Sequence, residues 1–321
     1  MYGLSDLKSE IRVEGEEVSC PIAGCAEMVV RQRGTFRRCE VFKCPVHGIY
    51  ISPTTFDYET EKENLLWADE DDLNLLRQIK GSKRESRISR DNSEDAVTWN
   101  VFRFLEKNGL VSKVLSPLLG TNLVDPKLVY WSHCQEGAKL WSGLAEARKA
   151  FGEPVRTGSE PDLIIHSKNA LVFLEAKLTS GNKTRPNRAD KVDKYESGGD
   201  NWSKRVCRST CREIAIDNKK YELMRFWLLG TWLANEQRIP FYMVSLVRAG
   251  KEEDIEDIFH RLFKTNDERL FIRLTWEDFN MQIEANQEAN PEAAQKLLKY
   301  FREKTIGYGS DRKIRPAFAV L

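Results

Sequence analysis

Asp162, Glu175 and Lys177 have the residue types and spacing of a metal-assisted hydrolytic site. They lie in one stretch, Glu160-Pro161-Asp162-Leu163-Ile164-Ile165-His166-Ser167-Lys168-Asn169-Ala170-Leu171-Val172-Phe173-Leu174-Glu175-Ala176-Lys177. Paired carboxylates offer the oxygen ligands that Mg²⁺ prefers. A lysine two residues beyond Glu175 could orient or polarise a water on such an ion. A metal-activated water beside a clamped phosphate is the chemistry of phosphodiester hydrolysis.

For these groups to meet, the stretch must fold back on itself. Two apolar runs flank a polar break at Ser167-Lys168-Asn169, and each run has the length of a buried strand, which predicts a β-hairpin. A turn at Lys168-Asn169 sets Ser167 against Ala170, Ile165 against Val172, Asp162 against Glu175 and Glu160 against Lys177. Side chains alternate faces along a strand, so all four charged groups share one face at one end. Like charges directly opposite each other destabilise a sheet, and a divalent cation between them removes the conflict. The bland alternative is an exposed hairpin end with solvated charges. Leu, Ile, Val and Phe on both faces of the hairpin argue against it.

Pro161-Asp162 followed by Glu175-Ala176-Lys177 on a strand–turn–strand resembles the motif of the PD-(D/E)xK nuclease superfamily, the restriction-endonuclease-like fold. The resemblance covers the chain from about Ser93 onward. It implies an α/β protein with an αβββαβ core and a mixed central sheet. It further implies that Asp162 and Glu175 ligate Mg²⁺, that the Ala176 carbonyl adds a ligand, and that Lys177 serves the water. The superfamily often carries a glutamate on its first core helix, and Glu94 stands at the matching place. Glu94 precedes the apolar face Val97, Val101, Phe104 and Leu105 of a helix capped by Asn92 or Ser93 and closed by Gly109. An acid there either serves the helix dipole or reaches the metal site, with Asp95 as the alternative.

The chain has 321 residues, enough for two domains, and a formal net charge of +1. Affinity for nucleic acid must therefore come from local patches. No apolar run is long enough to span a membrane, and Met-Tyr-Gly-Leu-Ser-Asp has no signal-peptide pattern. A cytoplasmic, reducing setting is the expectation, so the seven cysteines read first as metal ligands or buried thiols. Four of them fall in Cys20-Pro-Ile-Ala-Gly-Cys25 and Cys39-Glu-Val-Phe-Lys-Cys44-Pro-Val-His47-Gly48, which read as a zinc ribbon. Two ligands from each turn make a four-coordinate site. The chosen set is Cys20, Cys25, Cys44 and His47. Cys39 is the rival ligand, because Cys39 to Cys44 repeats the spacing of Cys20 to Cys25. So small a segment has little core of its own and calls for a metal staple.

Residues 1–62 are thus expected to form the zinc-ribbon domain, 63–92 a helical and basic linker, and 93–321 the nuclease domain. Leu73, Leu76 and Ile79 mark a helix ended by Gly81. The run Lys83-Arg84-Glu-Ser-Arg87-Ile-Ser-Arg90 reads as linker surface. Lys127–Ser132 reads as a strand, Ser142–Phe151 as a helix, and His133 and Cys134 as packing. After Lys177 comes a basic flank in which Arg185, Arg188, Lys204 and Arg205 would meet a phosphate backbone. Cys207 and Cys211 read as buried thiols. Tyr221–Ala234 is apolar almost all round, hence a buried helix whose Tyr221 and Arg225 face a cleft or snorkel outward. Pro240–Val247 is another buried strand. The segment 271–279 and the helix 291–303 read as additions packed on the nuclease core. These readings point to a Mg²⁺-dependent DNA endonuclease of restriction or defence type, with DNA as partner, no membrane, and a homodimer as a compatible assembly. The alternatives are a zinc-ribbon nucleic-acid-binding protein with a structural nuclease-like domain, or a DNA repair nuclease.

Overall fold

A computed structural model describes residues 1–81 and 87–320. The chain opens with short strands β1 (Val13–Glu14), β2 (Glu17–Ser19), β3 (Met28–Val30), β4 (Tyr50–Ile51) and β5 (Phe56–Asp57). Helices α1 (Glu70–Lys80), α2 (Glu94–Lys107) and α3 (Val111–Leu119) lead to β6 (Lys127–Tyr130), β7 (His133–Cys134) and α4 (Ser142–Ala150). The candidate stretch forms β8 (Leu163–His166) and β9 (Leu171–Ala176). Beyond it come α5 (Asp193–Asn201), α6 (Ser203–Val206), α7 (Tyr221–Gln237), β10 (Phe241–Val247), α8 (Ile255–Leu262) and β11 (Arg269–Thr275). The chain closes with α9 (Trp276–Ala285), α10 (Pro291–Glu303), β12 (Thr305–Tyr308) and β13 (Ile314–Pro316).

These elements form two compact units. The first comprises Met1–Leu73, Ser86–Asn108 and Trp276–Leu321; the second comprises Asn74–Glu85 and Gly109–Thr275. The division does not follow boundaries at residues 62 and 93. The protein is α/β, with a mixed central sheet in the second unit and a Cys/His cluster near the N-terminus in the first.

In the second unit the sheet runs β11-β10-β9-β8-β6-β7. β9, β10 and β11 are parallel, while β8, β6 and β7 continue antiparallel. Every residue of β9 and of β10 is buried. Strands covered on both faces read as continuous apolar runs, which is why both were visible as strands in the sequence. α7 packs its ring-rich face on this sheet: Trp227 meets Phe241, Phe259 and Phe263, and its indole N–H donates to the Val206 carbonyl at 3.1 Å. A Cβ at Gly230 would overlap the Phe241 ring, so glycine is what lets α7 approach β10 this closely.

In the first unit, β1-β2-β3 form a small antiparallel sheet and β4-β5 a hairpin. Leu7, Ile11, Val18, Ile49, Phe56 and Tyr308 share one core, so the C-terminal strand β12 completes the N-terminal ribbon. The Ile314 amide donates to the Ser9 carbonyl at 2.8 Å, and the Ile11 amide to the Arg312 carbonyl at 3.1 Å. Ser93 caps α2, its hydroxyl accepting the Ala96 amide at 3.1 Å.

Three sequence expectations change. The C-terminal additions split: β11 is an edge strand of the central sheet, while α9 and α10 belong to the first unit, where α10 packs on α2 and α9. The strand expected over Lys127–Ser132 stops at Tyr130, because Trp131 and Ser132 sit at φ of 44° and 72° and turn the chain back into β7. Both central residues at positive φ are what a two-residue hairpin turn demands. The basic run 83–90 lies partly outside the described residues. Of its described residues Arg87 is exposed, but Ile88 is fully buried and Asn64 Nδ2 donates to the Ile88 and Arg90 carbonyls at 2.7 Å each, so the chain is packed from Ile88 on. Among the described residues no helix is long and apolar enough to cross a membrane.

Candidate metal centres

The first centre is in the N-terminal unit. Cys44-Pro45-Val46-His47-Gly48 forms a knuckle in which the Gly48 amide donates to the Cys44 carbonyl at 2.9 Å, with Gly48 at φ of 66°. The facing turn, Cys20 to Cys25, has Gly24 at φ of 75° and is tied by the Cys25 amide donating to the Ile22 carbonyl. The two turns bring Cys20, Cys25, Cys44 and His47 together, with one ligand atom from each inside a 4.8 Å span. Cys20 Sγ and Cys44 Sγ each lie 3.6 Å from His47 Nδ1, and Cys25 Sγ lies 3.9 Å from Cys44 Sγ. Tetrahedral ligation with Zn–S of about 2.3 Å and Zn–N of about 2.0 Å separates ligand atoms by roughly 3.5–3.8 Å. The donor set and its spacing fit a metal ion such as zinc. Cys39 is exposed and lies outside the cluster, so His47 rather than Cys39 completes it.

The second centre is at the open end of the β8–β9 hairpin. Leu163 pairs with Leu174, Ile164 with Phe173, Ile165 with Val172 and His166 with Leu171, and the Ser167 amide donates to the Ala170 carbonyl. This is the register derived from the turn at Lys168-Asn169, and it sets Asp162 across from Glu175. Asp162 Oδ2 accepts the Ala176 amide at 2.9 Å, and the Asp162 carbonyl accepts the Trp131 amide at 3.1 Å. Lys177 Nζ is ion-paired with Glu175 Oε1. The other oxygen, Glu175 Oε2, is buried with no hydrogen-bond partner. An unpaired buried carboxylate oxygen is costly, and a cation is the partner that suits it.

The electrostatics of the group agree. Burial, then the Asp162 charge, push the Glu175 carboxyl well above its usual range, against the pull of Lys177. Burial alone would lower the Lys177 ammonium, but Glu175, Glu222 and Asp162 together hold it well above its usual range. Both directions express one condition, a buried site short of positive charge. Asp162 and Glu175 therefore fit a divalent cation with oxygen ligands.

Glu222 was not singled out from the sequence. It opens α7, its amide donates to Thr184 Oγ1 at 2.8 Å, and its Oε2 lies 3.5 Å from Lys177 Nζ. The signal was present, because Glu222 is the single acid in the apolar run Tyr221–Asn235. Glu153 was also missed. It is buried and accepts the Tyr195 hydroxyl and the Ser159 hydroxyl at 2.6 Å each, with Arg225 Nε at 3.3 Å. Arg225 lies over the Tyr221 ring at 5.1 Å and is ion-paired with Glu153. Arg148, fully buried, donates to the Ser159 and Val155 carbonyls, so the segment leading into Asp162 is held on both sides.

The remaining candidates are distributed as follows. Glu94 and Asp95 stand in the first turn of α2, in the first unit, whereas Asp162, Glu175, Lys177 and Glu222 all belong to the second. Arg185, Arg188, Lys204 and Arg205 are exposed in the second unit. Arg188 is engaged by Asp190 through Nε at 3.1 Å and Nη2 at 2.6 Å, and Arg205 stacks over Trp202 at 5.3 Å. Cys207 and Cys211 are buried thiols, and burial pushes Cys207 up to about 12. His133 is buried with Nδ1 at 2.7 Å from the Trp131 carbonyl, a packing role.

Comparison with known proteins finds no family model, no curated protein and no solved structure that matches this chain.

Proposed function

We propose that this protein is a Mg²⁺-dependent DNA endonuclease of the PD-(D/E)xK type whose N-terminal Cys₃His site holds structural zinc. One observation carries the reading: Asp162, Glu175 and Lys177 converge at one end of a buried hairpin, with Glu175 Oε2 left without a partner. A structural hairpin end gains nothing from opposed buried carboxylates. With β7 and helices α4, α5 and α6 set aside, β6, β8, β9, α7 and β10 follow the βββαβ part of the core that the resemblance implies, in a sheet that changes from antiparallel to parallel after β9.

Asp162 and Glu175 would hold the cation, with the Ala176 carbonyl as a further ligand. Bound there, the cation would supply a polarised phosphate and an acidified water. Lys177 offers its ammonium protons to the attacking water or to the charge that builds on the phosphate. The Ala176 amide orients Asp162, and the exposed basic side chains after Lys177 hold the backbone of the DNA. A restriction or defence setting rests on the resemblance.

The test is cleavage of plasmid and linear DNA with Mg²⁺ or EDTA. The parent should cut only with Mg²⁺. Asp162→Asn and Glu175→Gln should abolish cutting with the fold intact, because each removes a charge that holds the ion. Lys177→Ala should keep Mg²⁺ binding and lose cleavage by a factor of about 10² or more. Equal cutting by the parent and Asp162→Asn sinks the assignment.

A further inference from the structure

We infer that Glu222 is a positioning residue for Lys177, receiving its ammonium when a divalent cation takes over Glu175. The inference rests on the cation centre proposed above and concerns what happens to the lysine when that centre fills.

Lys177 Nζ stands between two carboxylates, ion-paired with Glu175 Oε1 and 3.5 Å from Glu222 Oε2. Their side chains differ in exposure: 5 % for Glu175, 12 % for Lys177 and 31 % for Glu222. Without a cation, Lys177 is the counter-ion that makes the buried Glu175 tolerable. A divalent cation on Glu175 replaces that role and repels the ammonium at contact range. With Glu175 taken up by the cation, the buried ammonium calls for another counter-charge, because an uncompensated buried charge is among the costliest states a protein interior can hold. Glu222, with Oε2 3.5 Å from Nζ, is a carboxylate outside the proposed ligand pair that is already within reach.

Glu222 is placed to serve repeatedly rather than to drift. The Tyr221 amide donates to the Thr184 carbonyl at 3.2 Å, and the Glu222 amide to Thr184 Oγ1 at 2.8 Å, so the first turn of α7 is tied to the loop that leaves Lys177. One turn further on, Arg225 anchors the helix to the buried Glu153. A carboxylate in the first turn is also favoured by the helix dipole.

The experiment is a double-substitution cycle read by calorimetric Mg²⁺ titration of the full chain without DNA. It uses the parent, Glu222→Gln, Lys177→Met and the double variant. Melting of each metal-free protein checks the fold. In the parent background, Glu222→Gln should weaken Mg²⁺ binding by roughly tenfold or more, the scale typical of a partner that acts through another residue. In the Lys177→Met background it should change binding by less than about twofold, since the ammonium to be received is gone. An equal loss in both backgrounds would make Glu222 a direct ligand and overturn the inference. No loss in either background overturns it as well. If Glu222→Gln folds poorly, Glu222→Asp replaces it, and affinity between parent and Mg²⁺-deficient values only when Lys177 is present is the supporting result. A parent that binds Mg²⁺ and cuts DNA, with an additive cycle, leaves the nuclease reading standing while this inference falls. A parent that binds no divalent cation removes both.

Discussion

Cys44 uses its Sγ for the cluster and its carbonyl for the turn, accepting the Gly48 amide at 2.9 Å. A metal ion held there would therefore couple its binding to the local fold at this residue. Elemental analysis should find about one zinc per parent chain. Cys44→Ser should lose that zinc and loosen the N-terminal unit. Stoichiometric zinc in the variant, or a new dependence on Cys39, would refute the ligand set. Glu153 has a different residue-scale consequence. Burial pushes its carboxyl up, but Arg225, Ser159 and Tyr195 outweigh burial and hold it below the usual glutamate range. A depressed folded-state value means that its contribution is present above the unfolded value of about 4.3 and is lost as pH falls through the folded value. Glu153→Gln should cost about 3–5 kcal/mol at neutral pH, because Arg225 is left buried without its counter-charge. It should also flatten the acid limb of stability. Urea melts of parent and variant between pH 7 and pH 3 measure both effects, and parallel curves would show that the pair is not what holds α7 to this segment.

The β8–β9 hairpin controls the candidate centre through its register. A slip of one residue would send Asp162 to the opposite face from Glu175, and the apolar pairs Leu163–Leu174 and Ile165–Val172 prevent it. The loop after Lys177 is held at Asn182, whose Nδ2 donates to Ser245 Oγ at 2.9 Å beside the Glu175 position on β10. Its basic residues are thereby displayed from a fixed base rather than from a loose tail. Replacing Arg185, Arg188, Lys204 and Arg205 together by Ala should weaken DNA binding with little sequence preference. The slope of log affinity against log salt should fall by about 3, less than four phosphate contacts would give, because Arg188 is already engaged by Asp190. Filter binding at several salt concentrations gives the slope, and an unchanged slope removes these residues from the interface.

At the scale of the whole chain, a formal net charge of +1 supplies no general attraction for nucleic acid, so affinity must come from such patches. The first unit is assembled from both ends of the chain. Tyr308 lies in the ribbon core, and buried Lys304 is held by Asn64 Oδ1 at 3.1 Å and Asp91 Oδ1 at 3.4 Å. A protein ending at residue 275 should therefore lose protease resistance across residues 1–62 even with zinc added. Its second unit, whose core runs from Val129 to Phe271, should persist as a resistant fragment. Limited proteolysis with mass spectrometry reads this out. A ribbon that stays resistant after the truncation would show that zinc suffices to fold it.

Local patterns were legible wherever neighbours in sequence are neighbours in space. The turn at Lys168-Asn169 and the alternation of β8 and β9 determine which charges face each other, so the local sequence sets Asp162 opposite Glu175. The ligand quartet followed in the same way from the spacing of two glycine-closed turns, and the buried character of α7, β9 and β10 followed from continuous apolar runs. Long-range packing was not legible. That Glu222 reaches Lys177, 45 positions earlier, depends on Thr184 fixing the start of α7. That α9, α10 and β12 join the N-terminal unit depends on which apolar faces find each other, and hydrophobic contact carries no directional label in the sequence. Helix 291–303 could be predicted to its last residue as a helix and still be assigned to the wrong core. A period of 3.6 residues reports which face is apolar and says nothing about what that face will cover.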